Sequence, residues 1–325
     1  MEETFEIKIS TGEVLKGRIF ETDRAVRNLL IQTGMGEHSG RYKDFALYLN
    51  SRGVNVYVLD AVGQGLNSPD PKDQEKWMKG AFDKNVEAIH LKIEEIKKNG
   101  LPTSLMGHSM GSFMTQRYLE LYPNTLDSVV ICGSNGPVKV KMTFAYLLAH
   151  LIVTKKNWDK HNAFLEKAGL GPFVEAIKDR EDDLEWLSRN KSNREIYRND
   201  PYCGAPTTSG FWHEFIYGLK ELYRKKYLAN ISKKEHILIV SGEEDPVGEM
   251  GKGPRRLAKM YADLGVQDVN IIMYPKLRHE ILNEEEEKKN FYAKFSYGNT
   301  AYLDVVLESF VKDCLKINFD IYKNL

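Results

Sequence analysis

The chain has 325 residues, of which 42% are hydrophobic and 28% charged, a composition typical of folded globular proteins and not of disordered ones. Its 46 Lys and Arg residues balance 46 Asp and Glu residues, so the sequence lacks the basic excess of a nucleic-acid-binding protein. The three cysteines (Cys132, Cys203 and Cys314) are widely spaced and odd in number, which predicts neither a disulfide framework nor a metal site, and no cofactor is expected.

The first eight residues, MEETFEIK, are acidic and carry no apolar run, which argues against a secretory signal. The longest apolar stretch, 144–153, falls well short of the roughly 20 residues that a transmembrane helix needs. We therefore expect a cytoplasmic protein without a transmembrane segment.

Short apolar runs alternate with helical patterns through the first 136 residues. The helix predicted at 81–98 has apolar residues at a spacing close to 3.6, and Gly53 and Gly100 stand where a glycine commonly ends a helix. Predicted strands cover 5–9, 15–20, 28–33, 54–59, 103–107 and 128–132, and predicted helices cover 41–52, 81–98 and 110–121. This alternation favours an α/β fold with a mostly parallel sheet covered by helices on both faces.

The strand pattern stops near Gly136 and returns after residue 230. Strands are predicted at 236–240 and 270–274, with helices around 253–264 and 300–316, whereas the residues between read as helices and loops. The later strands are too few to form a sheet alone. We therefore predict an α/β core made of 1–136 and 231–325, with a helical lid, 137–230, inserted in it.

The sequence GHSMG joins the strand predicted at 103–107 to the helix that follows, and it places Ser109 between Gly107 and Gly111. In a nucleophile elbow, a sharp strand-to-helix turn exposes the serine, and a side chain at either glycine position would collide with backbone. The pattern also arises by chance, so Ser109 is a candidate nucleophile that needs partners.

Two later loops contain the acid and the base that an activated serine requires. Asp245 follows the strand at 236–240 and His279 follows the strand at 270–274, so all three residues would lie beyond the carboxyl ends of strands. The chain order serine, acid, histidine is that of nucleophile-elbow hydrolases. Glu243 and Glu244 are rival acids, and His279 alone could be a surface histidine.

A tetrahedral intermediate also needs hydrogen-bond donors for its oxyanion. One is expected to be the backbone amide of Met110, directly after the nucleophile. The loop after the strand at 28–33 contains Gly34 and Gly36 on either side of Met35, which makes the Met35 amide the second candidate donor. The alternative is that this glycine-containing loop is only flexible.

Six segments resemble the monoacylglycerol lipase and lysophospholipase branch (serine aminopeptidase-like) of the α/β-hydrolases. They are GMGEHSGRY (34–42), DAVGQGLNS (60–68), GHSMGS (107–112), NDPYCG (199–204), GEEDPVG (242–248) and YPKLRHE (274–280). The resemblance covers nearly the whole chain and favours Asp245 as the acid. It implies hydrolysis of carboxylic esters through an acyl-enzyme, with monoacylglycerols, lysophospholipid-like lipids or other small acyl esters as substrates. Thr33 stands where this branch usually has a histidine, and Val62 where it usually has an arginine.

Several alternatives remain open at this point. A thioesterase, a peptidase or another hydrolase could use the same triad, and a catalytically dead binding module could keep the fold. The glycines around 34–40 do not form a dinucleotide-binding fingerprint with an acidic partner. The natural substrate, the leaving group and the oligomeric state stay undetermined.

The predicted lid contains two apolar groups whose roles are also open. The stretch 142–153 would be either a helix buried against the core or a helix that lines an acyl tunnel or transiently contacts a lipid surface. Phe211, Trp212, Phe215 and Tyr217 would either line the acyl pocket or belong to the core.

Overall fold

The computed structural model describes residues 3–284, in which eight strands form one sheet. The strands are β1 (Glu3–Lys8), β2 (Val14–Phe20), β3 (Arg27–Gln32), β4 (Val54–Leu59), β5 (Thr103–His108), β6 (Ser128–Cys132), β7 (His236–Gly242) and β8 (Asp268–Tyr274). Their spatial order is β1-β2-β4-β3-β5-β6-β7-β8, and only the pairs β1–β2 and β2–β4 are antiparallel. The predicted α/β class with a mostly parallel sheet is confirmed.

The helices of the sheet region lie close to their predicted positions. They are α1 (Lys43–Asn50), α2 (Ala81–Ile96), α3 (Met110–Leu121) and, after β7, α9 (Lys252–Asp263). The helix predicted at 41–52 differs, because its first turn is a separate 3₁₀ turn, Ser39–Tyr42. The helix predicted at 300–316 and Cys314 lie outside the described residues. Cys132 and Cys203 are both free thiols.

Hydrophobic cores lie on both faces of the sheet. Alternate residues of β3 face opposite sides, so Leu30 packs with the cluster under α2, α3 and α9, whereas Leu29 and Ile31 pack with the cluster under α1. All three side chains are fully buried. Burial on both faces explains why the central strands read as continuous apolar runs.

Five helices occupy the segment between β6 and β7, and the described part of 133–235 contains no strand of the sheet. They are α4 (Lys139–Ile152), α5 (Ala163–Ala176), α6 (Lys191–Asn199), α7 (Ser209–Glu221) and α8 (Lys225–Leu228). Phe211 of α7 contacts the buried Trp77 ring edge to face, at 4.7 Å between centroids, and so ties this segment to the core. Among the described helices, none is both long and apolar enough to cross a membrane.

Candidate active site

Ser109 occupies a sharp turn between β5 and α3. Its backbone has φ 52° and ψ −117°, a conformation that a residue with a side chain adopts only when the surrounding structure enforces it. The constraint comes from close packing of backbone. A Cβ on Gly111 would lie 2.3 Å from the Gln32 oxygen, and a Cβ on Gly107 would lie 2.2 Å from the Gly111 oxygen. The two glycines therefore let α3 begin directly against the ends of β3 and β5.

His279 and Asp245 form a buried hydrogen-bonded pair. His279 Nδ1 lies 3.1 and 3.0 Å from the two carboxylate oxygens of Asp245, and both residues are at most 1% exposed. The carboxylate also accepts from the Val247 amide at 2.9 Å. Two acceptors at Nδ1 favour the tautomer with its proton there, which leaves the Nε2 lone pair free.

The two rival acids have other partners. Glu244 is paired with Arg189, and Glu243 lies 3.5 Å from Arg255 at the surface. Neither forms a hydrogen bond to His279 in the described structure. Of the three consecutive acidic residues 243–245, Asp245 is the one that contacts the imidazole in the described structure.

Ser109 and His279 line the same cavity of about 350 Å³. His279 Nε2 has no hydrogen-bond partner among the described residues, so Ser109 Oγ is not bonded to it. Such bonds are commonly long without substrate and tighten when substrate binds. The cavity therefore brings an unengaged base and a half-buried hydroxyl together.

The predicted oxyanion loop lies directly beside the nucleophile. A Cβ on Gly34 would approach the Ser109 Cβ to 3.0 Å. Met35 also lines the cavity. Within the described residues, neither the Met35 amide nor the Met110 amide donates a hydrogen bond to the protein. Two backbone donors are thus available close to Ser109.

A buried ionic network lies behind this loop. Glu37 Oε1 accepts from the Gly34 amide at 2.5 Å and lies 3.1 Å from His108 Nδ1. Arg41 Nη1 donates to Glu37 Oε2 at 3.1 Å. Both terminal nitrogens of Arg41 also donate to the carboxylate oxygens of Glu280 at 2.8 Å. The network joins the oxyanion loop, the nucleophile turn and the histidine loop.

The charges in this network decide the protonation of its members. Burial alone would raise the pKa of Glu37, but His108 and Arg41 hold it below its usual value. Burial would likewise lower the pKa of His108, yet the facing Glu37 carboxylate raises it. Burial also opposes ionisation of Glu280, and the Arg41 ion pair nevertheless lowers its pKa. The opposite charges in the network therefore favour the charged forms of Glu37, His108 and Glu280 against the effect of burial.

The two departures from the family pattern are buried and have partners of their own. Thr33 Oγ1 donates to the Leu59 oxygen at 3.3 Å, which ties the start of the oxyanion loop to β4. The Val62 amide donates to Asn85 Oδ1 at 2.9 Å. The Thr33 side chain thus anchors the start of the oxyanion loop, whereas the Val62 contact is made by its backbone alone.

One group of possible metal ligands lies next to this loop in the described part of the chain. His38, Asp200 and Cys203 place their ligand atoms within 4.8 Å of one another. His38 Nδ1, however, accepts a hydrogen bond from the Gly40 amide, which favours the tautomer with its proton on Nε2. His38 Nε2 then donates a hydrogen bond to Asp200 at 2.9 Å. We interpret the group as a hydrogen-bonded link between the oxyanion loop and the segment after α6.

A family model described as "Serine aminopeptidase, S33" matches residues 23–286 of the chain. The chain belongs to this family. Human monoglyceride lipase is 25% identical to this serine aminopeptidase family member over 275 residues, which cover 81% of this chain and 78% of the human enzyme. Monoglyceride lipase from Saccharomyces cerevisiae is 22% identical over 82% of both chains.

Solved structures support the same fold. A thermostable carboxyl esterase from Bacillus coagulans, in complex with glycerol, matches with a TM-score of 0.79 at 22% identity, over 90% of this chain and 96% of that one. A soluble variant of the yeast monoglyceride lipase, bound to a substrate analogue, matches with a TM-score of 0.66 over 91% and 92% of the two chains. The comparisons confirm two predictions, the α/β-hydrolase fold and the class of enzyme, a carboxylic ester hydrolase related to monoglyceride lipases.

The cavity wall differs from the one considered from the sequence. Phe211 and Trp212 are buried in the core, and neither they nor Phe215 and Tyr217 line the cavity beside Ser109. One face of α5 lines it instead. This face consists of Ala163, Glu166, Lys167, Leu170, Gly171 and Val174, at the i, i+3, i+4 spacing of a helix. That spacing was a signal in the sequence, but nothing local showed which surface it would face.

Proposed function

We propose that Ser109, Asp245 and His279 form the catalytic triad of an enzyme that hydrolyses monoacylglycerols and similar small acyl esters. The observation that carries this proposal is the shared cavity. Ser109 lines it together with a histidine whose Nδ1 contacts a buried carboxylate and whose Nε2 has no hydrogen-bond partner among the described residues.

In the proposed mechanism, His279 accepts the proton of Ser109 as the serine oxygen attacks the ester carbonyl. Asp245 holds the imidazole orientation and stabilises its cation. The amides of Met35 and Met110 donate to the oxyanion, each contributing about 3–4 kcal/mol in comparable sites. His279 then protonates the leaving alcohol, and a water molecule that it deprotonates releases the acid from Ser109.

The cavity favours a substrate with an apolar chain and a small polar head. Leu170, Val174 and Leu187 supply apolar walls, whereas Glu166 and Thr207 supply polar ones. A volume of about 350 Å³ lies at the lower end of the range for small-molecule sites, which favours single-chain esters over triacylglycerols. The names of the related monoglyceride lipases agree with this substrate class.

The experiment that tests the triad is labelling with a fluorophosphonate, read by intact mass. Wild type should gain one adduct and the Ser109→Ala variant none. Ester hydrolysis should follow the same pattern, with rates rising from acetyl to octanoyl esters. An aminoacyl anilide belongs in the panel because the family description names an aminopeptidase. Wild-type esterase rates in folded Ser109→Ala protein would refute the proposed nucleophile.

We further propose that 137–230 is a lid whose α4 helix contacts lipid surfaces. The supporting observation is an apolar face on α4, formed by Phe144, Leu147, Leu148 and Leu151, with Leu151 80% exposed. A helix buried against the core would not leave these side chains in water.

Flotation with phosphatidylcholine vesicles tests this contact. The double change Phe144→Ser and Leu151→Ser should abolish co-flotation and leave the hydrolysis of a dissolved short-chain ester unchanged. Equal flotation of wild type and variant would contradict the role of α4. The cytoplasmic location stays a prediction.

A further inference from the structure

Glu75 is a buried carboxyl group that the proposed mechanism does not use. It lies in the loop between β4 and α2, is 1% exposed, and has a φ of 61°. Its backbone is held at both ends, since its amide donates to the Gly63 oxygen at 2.7 Å and its oxygen accepts from Thr208 Oγ1 at 2.7 Å. The side chain is therefore in a fixed position.

The Glu75 side chain reaches the oxyanion loop. Its Oε1 accepts from the Gly36 amide at 3.0 Å and from Gln64 Nε2 at 2.6 Å. Its Oε2 has no hydrogen-bond partner among the described residues. In the described part of the chain, the one backbone amide that donates to this carboxyl group is that of Gly36, the residue after Met35.

The three consecutive backbone amides of the loop, those of residues 34–36, differ in their hydrogen-bond acceptors. Glu37 accepts from the Gly34 amide and Glu75 accepts from the Gly36 amide, while the Met35 amide between them has no acceptor within residues 3–284. With both flanking peptide groups anchored, a rotation of the peptide that carries the Met35 amide would break at least one buried hydrogen bond. Leaving such a donor or acceptor unpaired in the interior is unfavourable.

We propose that Glu75 is a positioning residue, which holds the Gly34–Gly36 turn in the conformation that presents the Met35 amide at Ser109. The inference rests on the proposed role of Met35 as an oxyanion donor. Glu75 acts through Gly36 and does not itself touch the substrate.

The chemistry of Glu75 suits this position. Burial raises its pKa to about 8, against the opposing hydrogen bonds from Gln64 and Gly36 and with a smaller contribution from Glu166. Near neutral pH the group is therefore mostly an uncharged acid that accepts the Gly36 hydrogen bond. An uncharged acceptor does not oppose the negative charge that develops on the substrate oxygen.

The test compares Glu75→Ala and Glu75→Gln with a matched control, Glu235→Ala. Glu235 is also buried, also accepts one backbone amide (Asn124, 3.0 Å), and burial also raises its pKa. It precedes β7 at the amino end of the sheet, away from Ser109. The measurements are kcat and KM for p-nitrophenyl butyrate, the inhibition constant of a trifluoromethyl ketone, and the melting temperature.

Glu75→Ala should lower kcat about 10- to 100-fold and change KM by less than about threefold. The inhibition constant of the ketone should rise by the same factor by which kcat falls. Glu75→Gln retains an acceptor oxygen and should keep at least about a third of the wild-type kcat. Glu235→Ala should lower the melting temperature without lowering kcat more than about threefold. If Glu75→Ala does not fold, Glu75→Met fills the volume without an acceptor and replaces it.

Two results would overturn the positioning role. One is a loss of kcat in folded Glu75→Ala no larger than that in Glu235→Ala, and the other is a Glu75→Gln variant as impaired as Glu75→Ala. Either could occur while wild type and Glu235→Ala still show Ser109-dependent hydrolysis, in which case the proposed function stands. Wild type without Ser109-dependent hydrolysis would overturn both proposals.

Discussion

At the scale of residues, neighbouring acids in one loop have different roles because they have different partners. We expect Asp245→Asn to lower kcat about 10³- to 10⁴-fold, since an amide facing His279 Nδ1 favours the wrong tautomer and cannot stabilise the imidazolium. Glu244→Gln, whose side chain pairs with Arg189, should stay within about twofold of wild type. Steady-state hydrolysis of a short-chain ester measures both. Similar losses in the two variants would contradict the assignment of the acid.

Residues that stand at strand ends could be predicted from the sequence, whereas their supporting residues could not. Ser109, Asp245 and His279 each follow an apolar strand within a recognisable local pattern. Glu75 and Glu280 act through partners 39 and 239 positions away along the chain, namely Gly36 and Arg41. Nothing in the local sequence of a polar loop shows that its glutamate will be buried beside a distant amide.

At the scale of elements, two helical glycines should differ in how strongly they respond to alanine. Gly111→Ala places a methyl group 2.3 Å from the Gln32 oxygen, so the start of α3 must move, with Ser109 and the Met110 amide. We expect it to lower kcat at least about 100-fold and the unfolding free energy by about 1–3 kcal/mol. Apart from its chain neighbours, a Cβ on Gly171 in α5 meets only Lys167 Cγ at 3.5 Å. Because this Cβ would also crowd the ring of Pro172, which offsets the higher helix propensity of alanine, we expect Gly171→Ala to change the unfolding free energy by less than about 1 kcal/mol.

Chemical denaturation and ester hydrolysis of the two alanine variants test this contrast. A Gly111→Ala protein with wild-type stability and rate would show that α3 is not held against β3 as described.

The same contrast explains which elements could be predicted. β5 and α3 meet at a junction where the spacing of apolar residues changes from strand to helix, so their bounds follow from the sequence. α5 contains Gly169, Gly171 and Pro172, which are poor helix formers, and the sequence gives no bounds for it. It is nevertheless helical, with Leu165 buried in the core and Phe173 in contact with the Trp186 ring, and this tertiary packing overrides propensity.

At the scale of the whole molecule, the interruption of the strand pattern predicts an inserted segment but not how that segment sits. Its placement depends on long-range pairs such as Asn193 with Glu280 at 2.7 Å and Asp200 with His38 at 2.9 Å. Both pairs join the segment to loops at the carboxyl edge of the sheet. The segment whose residues line the cavity is thus bound to the same loops that carry the candidate catalytic groups.

The pH dependence of stability follows from a buried acid. Burial raises the pKa of Glu75 from 4.5 to about 8, so between these values the unfolded chain loses this proton while the folded protein keeps it. The contribution of Glu75 to the unfolding free energy is fully present below pH 4.5 and is lost as pH rises through 8, by at most about 5 kcal/mol.

Urea denaturation at pH 5.5 and 8.5 tests this dependence. The unfolding free energy should fall less between these pH values for Glu75→Gln than for wild type. Asp60, Glu120 and Glu235, whose pKa values burial also raises, remain in both proteins and cancel in the comparison. Equal falls would mean that Glu75 is ionised in the folded protein, and its carboxylate would then place a negative charge behind the oxyanion loop.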